Sequence, residues 1–304
     1  MDMLRVAQRL VLVGLVVLAC SAFASRKVLY EKASPYTLVS VTEDDEGRRY
    51  LGFDASGALQ SVVRPGKPLD LVLPYTQVSM AGLAYVPAPK RILIIGLGGG
   101  AMPMFLRKVV PRAHIDVVDI DPDVVKVAKA YFGFKEDARL KAHVGDGRAF
   151  VEAKRPAYDL IFLDAYGPDS IPEHLATVEF LASVRAKLTP NGAVVGNVWA
   201  FPPNSRYDAM VHTWQVSFKQ LSEFIVPQSS NRILVGVGYE EKVAVKTLEA
   251  RAEKLERAHG VPFDLSGLVD RGYTDATERK PRGRVLKDAD IPKPASATTP
   301  SQAR

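Results

Sequence analysis

The run Arg91-Ile92-Leu93-Ile94-Ile95 leads directly into Gly96-Leu97-Gly98-Gly99-Gly100, and residues 101–110 then continue as an apolar helical segment. An uninterrupted apolar run belongs to a strand covered on both faces, which requires helices above and below it. The rhythm repeats downstream. Ile115-Asp116-Val117-Val118-Asp119 is a second strand, and Asp121-Pro122 supplies an N-cap and a first-turn proline for the next helix, whose inner face is Val124, Val125, Ala128 and Tyr131. Strand-like runs recur at 140–144, 160–163, 193–198, 223–226 and 233–237, most of them separated by helical segments. Alternating β and α with buried strands predicts an α/β fold with a doubly wound, mostly parallel sheet. Right-handed crossovers place its ligand at the carboxyl ends of the strands.

Residues 28–65 read differently. Short alternating runs at 27–30, 36–41 and 49–53 are separated by Asp44-Asp45-Glu46-Gly47 and Asp54-Ala55-Ser56-Gly57. These two hairpin signals predict a small N-terminal antiparallel β unit. A helical stretch over 75–85 stops at Pro87-Ala88-Pro89. At the start, Arg5 and Arg9 precede an apolar run over 10–19 and then Cys20-Ser21-Ala22-Phe23-Ala24, the layout of a signal peptide cleaved after Ala24. The alternatives are a lipidated Cys20 and an uncleaved anchor; the apolar stretch to Ala24 is shorter than the roughly 20 residues that span a bilayer. The expectation is an exported protein, periplasmic or held at the membrane through residues 10–24, with a cytoplasmic location as the alternative. From about Thr274 the chain is rich in Pro, Ala, Thr, Lys and Arg, and its last dozen residues read as a disordered tail. The expected division is a leader or anchor over 1–24, a β-hairpin domain over 25–74, a Rossmann-like catalytic domain over 75–240, and a C-terminal helical segment with a basic tail over 241–304.

The net charge of +6 invites a nucleic-acid reading, but residues 1–27 and 270–304 carry +3 each and 28–269 carries none. A surface that tracks phosphates needs that excess on the folded body, so no nucleic-acid partner is expected. The single cysteine, Cys20, excludes a disulfide, a cysteine-ligated zinc or a thiol nucleophile in the rest of the chain. His114, His143, His174, His212 and His259 stand at no metal-ligand spacing, so no metal is expected. His174 reads as a surface histidine at a helix start, with a place in the cleft as the alternative.

The chemistry concentrates at successive strand ends. Glycines after a buried strand let a ligand approach the backbone, and the following helix N-terminus favours negative charge. Gly96-x-Gly98-x-Gly100 fits the nucleoside loop of class I methyltransferase-like folds, while Gly96-x-Gly98-x-x-Ala101 also fits a dinucleotide fingerprint. The bland alternative is a tight strand-to-helix turn. Asp119 ends the second strand, where a carboxylate can accept both ribose hydroxyls. Asp146, in Gly145-Asp146-Gly147, ends the third and can accept the adenine amino group, or simply cap the helix that follows. Asp164 ends the fourth and is the candidate base, since a carboxylate leaving a buried strand beside a ligand cleft is placed for proton transfer.

Leu93-Ile94-Ile95-Gly96, Val118-Asp119-Ile120-Asp121, Val144-Gly145-Asp146-Gly147 and Tyr158-Asp159-Leu160-Ile161-Phe162-Leu163-Asp164, in this order, resemble the spermidine synthases, the polyamine aminopropyltransferases, and in particular a spermidine synthase-like branch. The resemblance covers about residues 28–240, including Tyr75-Thr76-Gln77, which looks like the family's Tyr-x-Glu/Gln segment. It implies an adenosylmethionine-type fold in which Gly96, Gly98, Gly100, Asp119, Asp146 and Gln77 bind the cosubstrate, decarboxylated S-adenosylmethionine or S-adenosylmethionine itself. It further implies that Asp164 and Tyr75 are catalytic, that the partner substrate is a small putrescine-type amine, and that a homodimer is compatible with the family. Two positions depart from the family pattern. Gly99 stands where the family has an Asp that grips the aminopropyl amine, and Gly167 stands where it has a second Asp three residues after the base; Asp169 lies two residues beyond. Both departures remove negative charge from the amine-binding side. Methyl transfer and a non-catalytic polyamine- or nucleoside-binding protein are therefore the alternatives to aminopropyl transfer.

Overall fold

The computed structural model describes residues 26–54, 58–153, 156–165, 171–200 and 204–291. The leader reading of residues 1–24, the tail from 292, and Gly167 and Asp169 fall outside them.

The N-terminal unit is a four-stranded antiparallel sheet in the order β1 (Lys27–Ala33), β2 (Leu38–Glu43), β3 (Arg49–Phe53) and β4 (Ala58–Val63). Asp44 closes the β2–β3 hairpin by accepting hydrogen bonds from the backbone of Glu46 and Arg48 and from the Arg48 side chain. Alternation puts Val39, Val41 and Leu51 on one face, fully buried. They pack against Val124, Val127 and Phe132 of the neighbouring layer. Polar contacts fix the angle of this docking: Ser34 donates to Asp121, and the Lys32 ammonium lies 2.9 Å from Asp123.

A linker helix pair, α1 (Pro74–Ser79) and α2 (Gly82–Tyr85), leads into the main layer. There follow β5 (Arg91–Ile95), α3 (Ala101–Val109), β6 (His114–Asp119), α4 (Pro122–Tyr131), β7 (Leu140–Val144), α5 (Gly147–Glu152) and β8 (Tyr158–Leu163). After a 3₁₀ turn (Glu173–Leu175) come α6 (Val178–Ala186), β9 (Leu188–Trp199), α7 (Tyr207–Ser217), β10 (Gln220–Ile225), β11 (Asn231–Val237), α8 (Val245–His259), α9 (Leu265–Gly272) and β12 (Tyr273–Asp275). The eight strands stand in the order β12-β10-β11-β9-β8-β5-β6-β7. β7, β6, β5, β8 and β9 run parallel, and β11, β10 and β12 pair antiparallel at the other side.

The apolar run of β5 shows why helices must cover both faces. Ile92 and Ile94 enter one core cluster, with Phe105, Leu248 and Leu265; Leu93 and Ile95 enter the other, with Phe180, Val184 and Trp214. The chain builds outward from β5 through β6 to β7 and then returns to place β8 against the other side of β5. The crevice at that switch point lies beyond the carboxyl ends of the strands, where doubly wound folds bind ligands.

The sheet continues past residue 240, where the sequence reading closes its core domain. β12 pairs with β10, α8 buries Leu248 and Ala252, and Leu286 is 3% exposed between helices. The segment over 241–291 is thus part of the folded layer, built from apolar residues spaced too widely among charges to announce themselves.

Candidate active site

A cleft of about 320 Å³ opens at the switch point, within the range of small-molecule sites. Its floor is the glycine loop and the ends of β6, β7 and β8. Its roof comes from the N-terminal sheet, through Tyr36, Thr37, Phe53, Gln60 and Ser61. The linker helix contributes Tyr75 and Thr76, and the 3₁₀ turn contributes His174 and Leu175.

Asp164 sits at the mouth of β8 because its own amide donates to Ile95 at 2.8 Å, which continues the parallel ladder one residue past the strand. Gly96 makes that approach feasible. Its φ is +101°, and a Cβ there would lie 2.2 Å from the Asp164 carbonyl oxygen. The Asp164 carboxylate accepts from Asn197 Nδ2 at 2.9 Å and from the Tyr75 hydroxyl at 3.3 Å. Asn197 in turn accepts from Asn231 Nδ2 at 2.8 Å. The carboxyl is partly exposed to the cleft and otherwise enclosed by protein. That desolvation outweighs the two hydrogen bonds and pushes its pKa up to about 7.

Asp119 holds the loop as well as facing the cleft. Its oxygens accept from the backbone N–H of Leu97 at 2.9 Å and of Asp121 at 3.0 Å. Burial raises its pKa to about 6 despite these donors. Asp146 caps α5, one oxygen accepting from the Ala149 N–H at 2.8 Å, and it also lines the cleft. Its second oxygen lies 2.7 Å from His174 Nε2. Burial acts to raise the Asp146 pKa, but the Ala149 N–H and His174 hold it below the ordinary value.

Six of the eight expected site residues, Asp164, Tyr75, Gly96, Gly98, Asp119 and Asp146, meet in this cleft. The other two require correction. Gln77 is not among the lining residues; it stands two residues after Tyr75, which turns it to the opposite side of the helix, and its amide donates to the Leu71 carbonyl at 2.7 Å. Gly100 is the left-handed N-cap of α3, at φ +79°, and packs against Phe134 instead of bordering the cleft. Gly99 likewise faces the N-terminal unit: a Cβ there would lie 2.9 Å from Ser61 Oγ and 3.0 Å from Phe132. His174 takes the alternative place, in the cleft: the 3₁₀ turn holds its Nε2 2.7 Å from Asp146. Asn197 and Asn231 went unrecognised, although one polar residue inside the apolar run 193–198 is a detectable signal. The roof residues Gln60 and Ser61 gave none, because nothing local links β4 to the glycine loop. Among the described residues no group of three or more metal-ligating side chains occurs.

The fold defines a protein of the methyltransferase-like α/β class, with a cleft at the carboxyl ends of its parallel strands. The profile of the spermine/spermidine synthase domain matches residues 76–219. A polyamine aminopropyltransferase of Vibrio vulnificus is 36% identical over 217 residues, covering 69% of this chain and 72% of that protein. The chain belongs to the spermine/spermidine synthase family. A solved structure of human methyltransferase-like protein 13 in complex with SAH has a TM-score of 0.55 at 28% identity, over 69% of this chain and 94% of that one. A solved Corynebacterium glutamicum protein, described as a probable spermidine synthase, has a TM-score of 0.67 at 21% identity, over 86% of this chain and 99% of that one. At that identity it supports the fold alone.

Proposed function

We propose that this protein is an aminopropyltransferase that moves an aminopropyl group from decarboxylated S-adenosylmethionine to a small amine. The observation that carries the reading is Asp164: a carboxylate with a pKa near 7, held by Asn197 and Tyr75, at the cleft floor. Asp119 and Asp146 line the same cleft and would accept from the ribose hydroxyls and the adenine amine. An alkyl amine with a pKa near 10 is mostly protonated at neutral pH and cannot attack. The ionised Asp164 takes that proton and frees the nitrogen lone pair. The new C–N bond then forms at the carbon beside the sulfonium, the C–S bond breaks, and its electron pair stays on sulfur to leave neutral methylthioadenosine. Tyr75 and Asn197 hold the carboxylate facing the amine throughout.

Methyl transfer is the second reading. The SAH-bound relative has the same fold at 28% identity, and Gly99 leaves no acid on the glycine loop to hold an aminopropyl ammonium. The deciding experiment incubates the protein with each cosubstrate and a panel of amines and follows methylthioadenosine and S-adenosylhomocysteine. Asp164→Asn should lower turnover by roughly 10²–10⁴, the usual worth of a general base, with nucleoside binding little changed. If neither product forms with any amine, and Asp164→Asn binds nucleosides as wild type does, the transferase reading fails and a binding protein remains.

A further inference from the structure

The nucleobase wall of the cleft is held from behind by a segment far away in sequence. Asp146 and His174 form that wall, 2.7 Å apart, on separate elements: the start of α5 and the 3₁₀ turn. Arg148, two residues after Asp146, points its guanidinium away from the cleft onto Asp288 in a bidentate pair, at 2.7 and 2.6 Å. The same guanidinium reaches the His174 carbonyl at 3.4 Å. Asp288 also accepts from the Thr177 hydroxyl at 2.7 Å, and Thr177 is the N-cap of α6, directly after the turn that carries His174. One carboxylate therefore braces the neighbours of both halves of the wall, Arg148 beside Asp146 and Thr177 beyond His174.

Asp288 is itself anchored. Its backbone N–H donates to Glu179 at 3.0 Å. Two residues earlier, Leu286 is buried, donates its N–H to Thr213 and accepts from the Val178 N–H. The stretch 286–288 crosses from α7 to α5 as a short strap. Arginine in a fork against a carboxylate fixes orientation as well as distance, which a lysine or a water would not.

We propose that the Arg148–Asp288 pair is a positioning device for nucleobase recognition, and that through it the C-terminal segment sets the cleft's preference for a 6-aminopurine. Neither residue is among those lining the cleft; they act by keeping Asp146 and His174 in register. The inference rests on the reading of Asp146 as the acceptor for the adenine amine. A 6-oxopurine has no donor there and leaves that carboxylate without its partner, so the ratio of the two affinities reports how firmly Asp146 is held.

The test is calorimetry of the full chain with methylthioadenosine and methylthioinosine. Loss of a half-exposed bidentate pair should weaken methylthioadenosine binding about fivefold in Asp288→Ala and leave methylthioinosine nearly unchanged, so that the preference falls by the same factor. Asp288→Glu, which keeps the carboxylate, should recover most of it. Should Asp288→Ala fail to fold, Asp288→Asn, which keeps an acceptor for Thr177 but loses the charge, reads the same ratio. An unchanged ratio in a folded variant, or a loss of melting temperature alone, overturns the proposal. A wild-type protein that binds methylthioadenosine no better than methylthioinosine overturns the assignment of Asp146, and the proposal with it. A wild-type preference that survives in the variants overturns only the role of the strap.

Discussion

Asn197→Leu is the perturbation that most directly tests how the candidate base is tuned. Asn197 is 5% exposed and donates to Asp164 Oδ1 at 2.9 Å, while the Tyr75 hydroxyl, at 3.3 Å, is the longer of the two contacts. Leucine is of similar size and cannot donate. A hydrogen bond to a charged acceptor contributes about 1.5–3 kcal/mol, and one pH unit of pKa corresponds to about 1.36 kcal/mol. The donor favours the ionised form, so its loss raises the Asp164 pKa further, by about 1–2 pH units above its present value near 7. At pH 7 the ionised fraction then falls from about one half to between about one tenth and one hundredth, a loss of roughly 5–50-fold in base activity. Activity should return at pH 9–10, where the variant is again ionised. Two measurements check this: the alkaline-rising limb of kcat/KM against pH, and carboxyl ¹³C NMR titration of Asp164, assigned with Asp164→Asn. A limb that stays at the wild-type pH in a folded variant would refute the view that Asn197 sets the charge state of Asp164. So would a loss of activity equal at every pH, which would point to misplacement of the carboxylate instead.

Two further outcomes follow from the same geometry. Asp119→Asn and Asp146→Asn should each weaken methylthioadenosine binding by about 1–3 kcal/mol by calorimetry; alanine is the poorer choice, since it would also strip partners from the Leu97 and Ala149 amides. Gly99→Asp, which places an acid on the glycine loop, should lower stability by about 1–3 kcal/mol in thermal unfolding, because its Cβ meets Ser61, Phe132 and Val63 within 3.1 Å. Adding Ser61→Ala should recover part of that loss and let the carboxylate favour decarboxylated S-adenosylmethionine over S-adenosylmethionine.

Local pattern alone determined most of the layer order. Buried strands differ from amphipathic helices in period, and the acids at the ends of β6, β7 and β8 stand where any parallel sheet presents its carboxyl ends. That is why Asp119, Asp146 and Asp164 are legible in the sequence as strand-end acids, and why the hairpin signals at Asp44–Gly47 and Asp54 mark the N-terminal sheet. What a side chain does on leaving its strand is a different matter, because it depends on elements that meet only in three dimensions. Gln77 sits in the right tripeptide, but the helical phase of α1 turns its amide to Leu71. Gly99 and Gly100 share a loop with Gly96 and Gly98, yet the left-handed turn sends them toward Ser61 and Phe134. The pKa of Asp164 depends on burial and on an asparagine 33 residues later in the chain. Asp288 reaches Arg148 across 140 residues, from a stretch whose composition resembles a tail. Periodicity is a property of neighbours along the chain, so the sequence by itself could reveal the strands and the acids at their ends. Desolvation, helix phase and ion pairing are properties of neighbours in space, and only the tertiary structure could decide them.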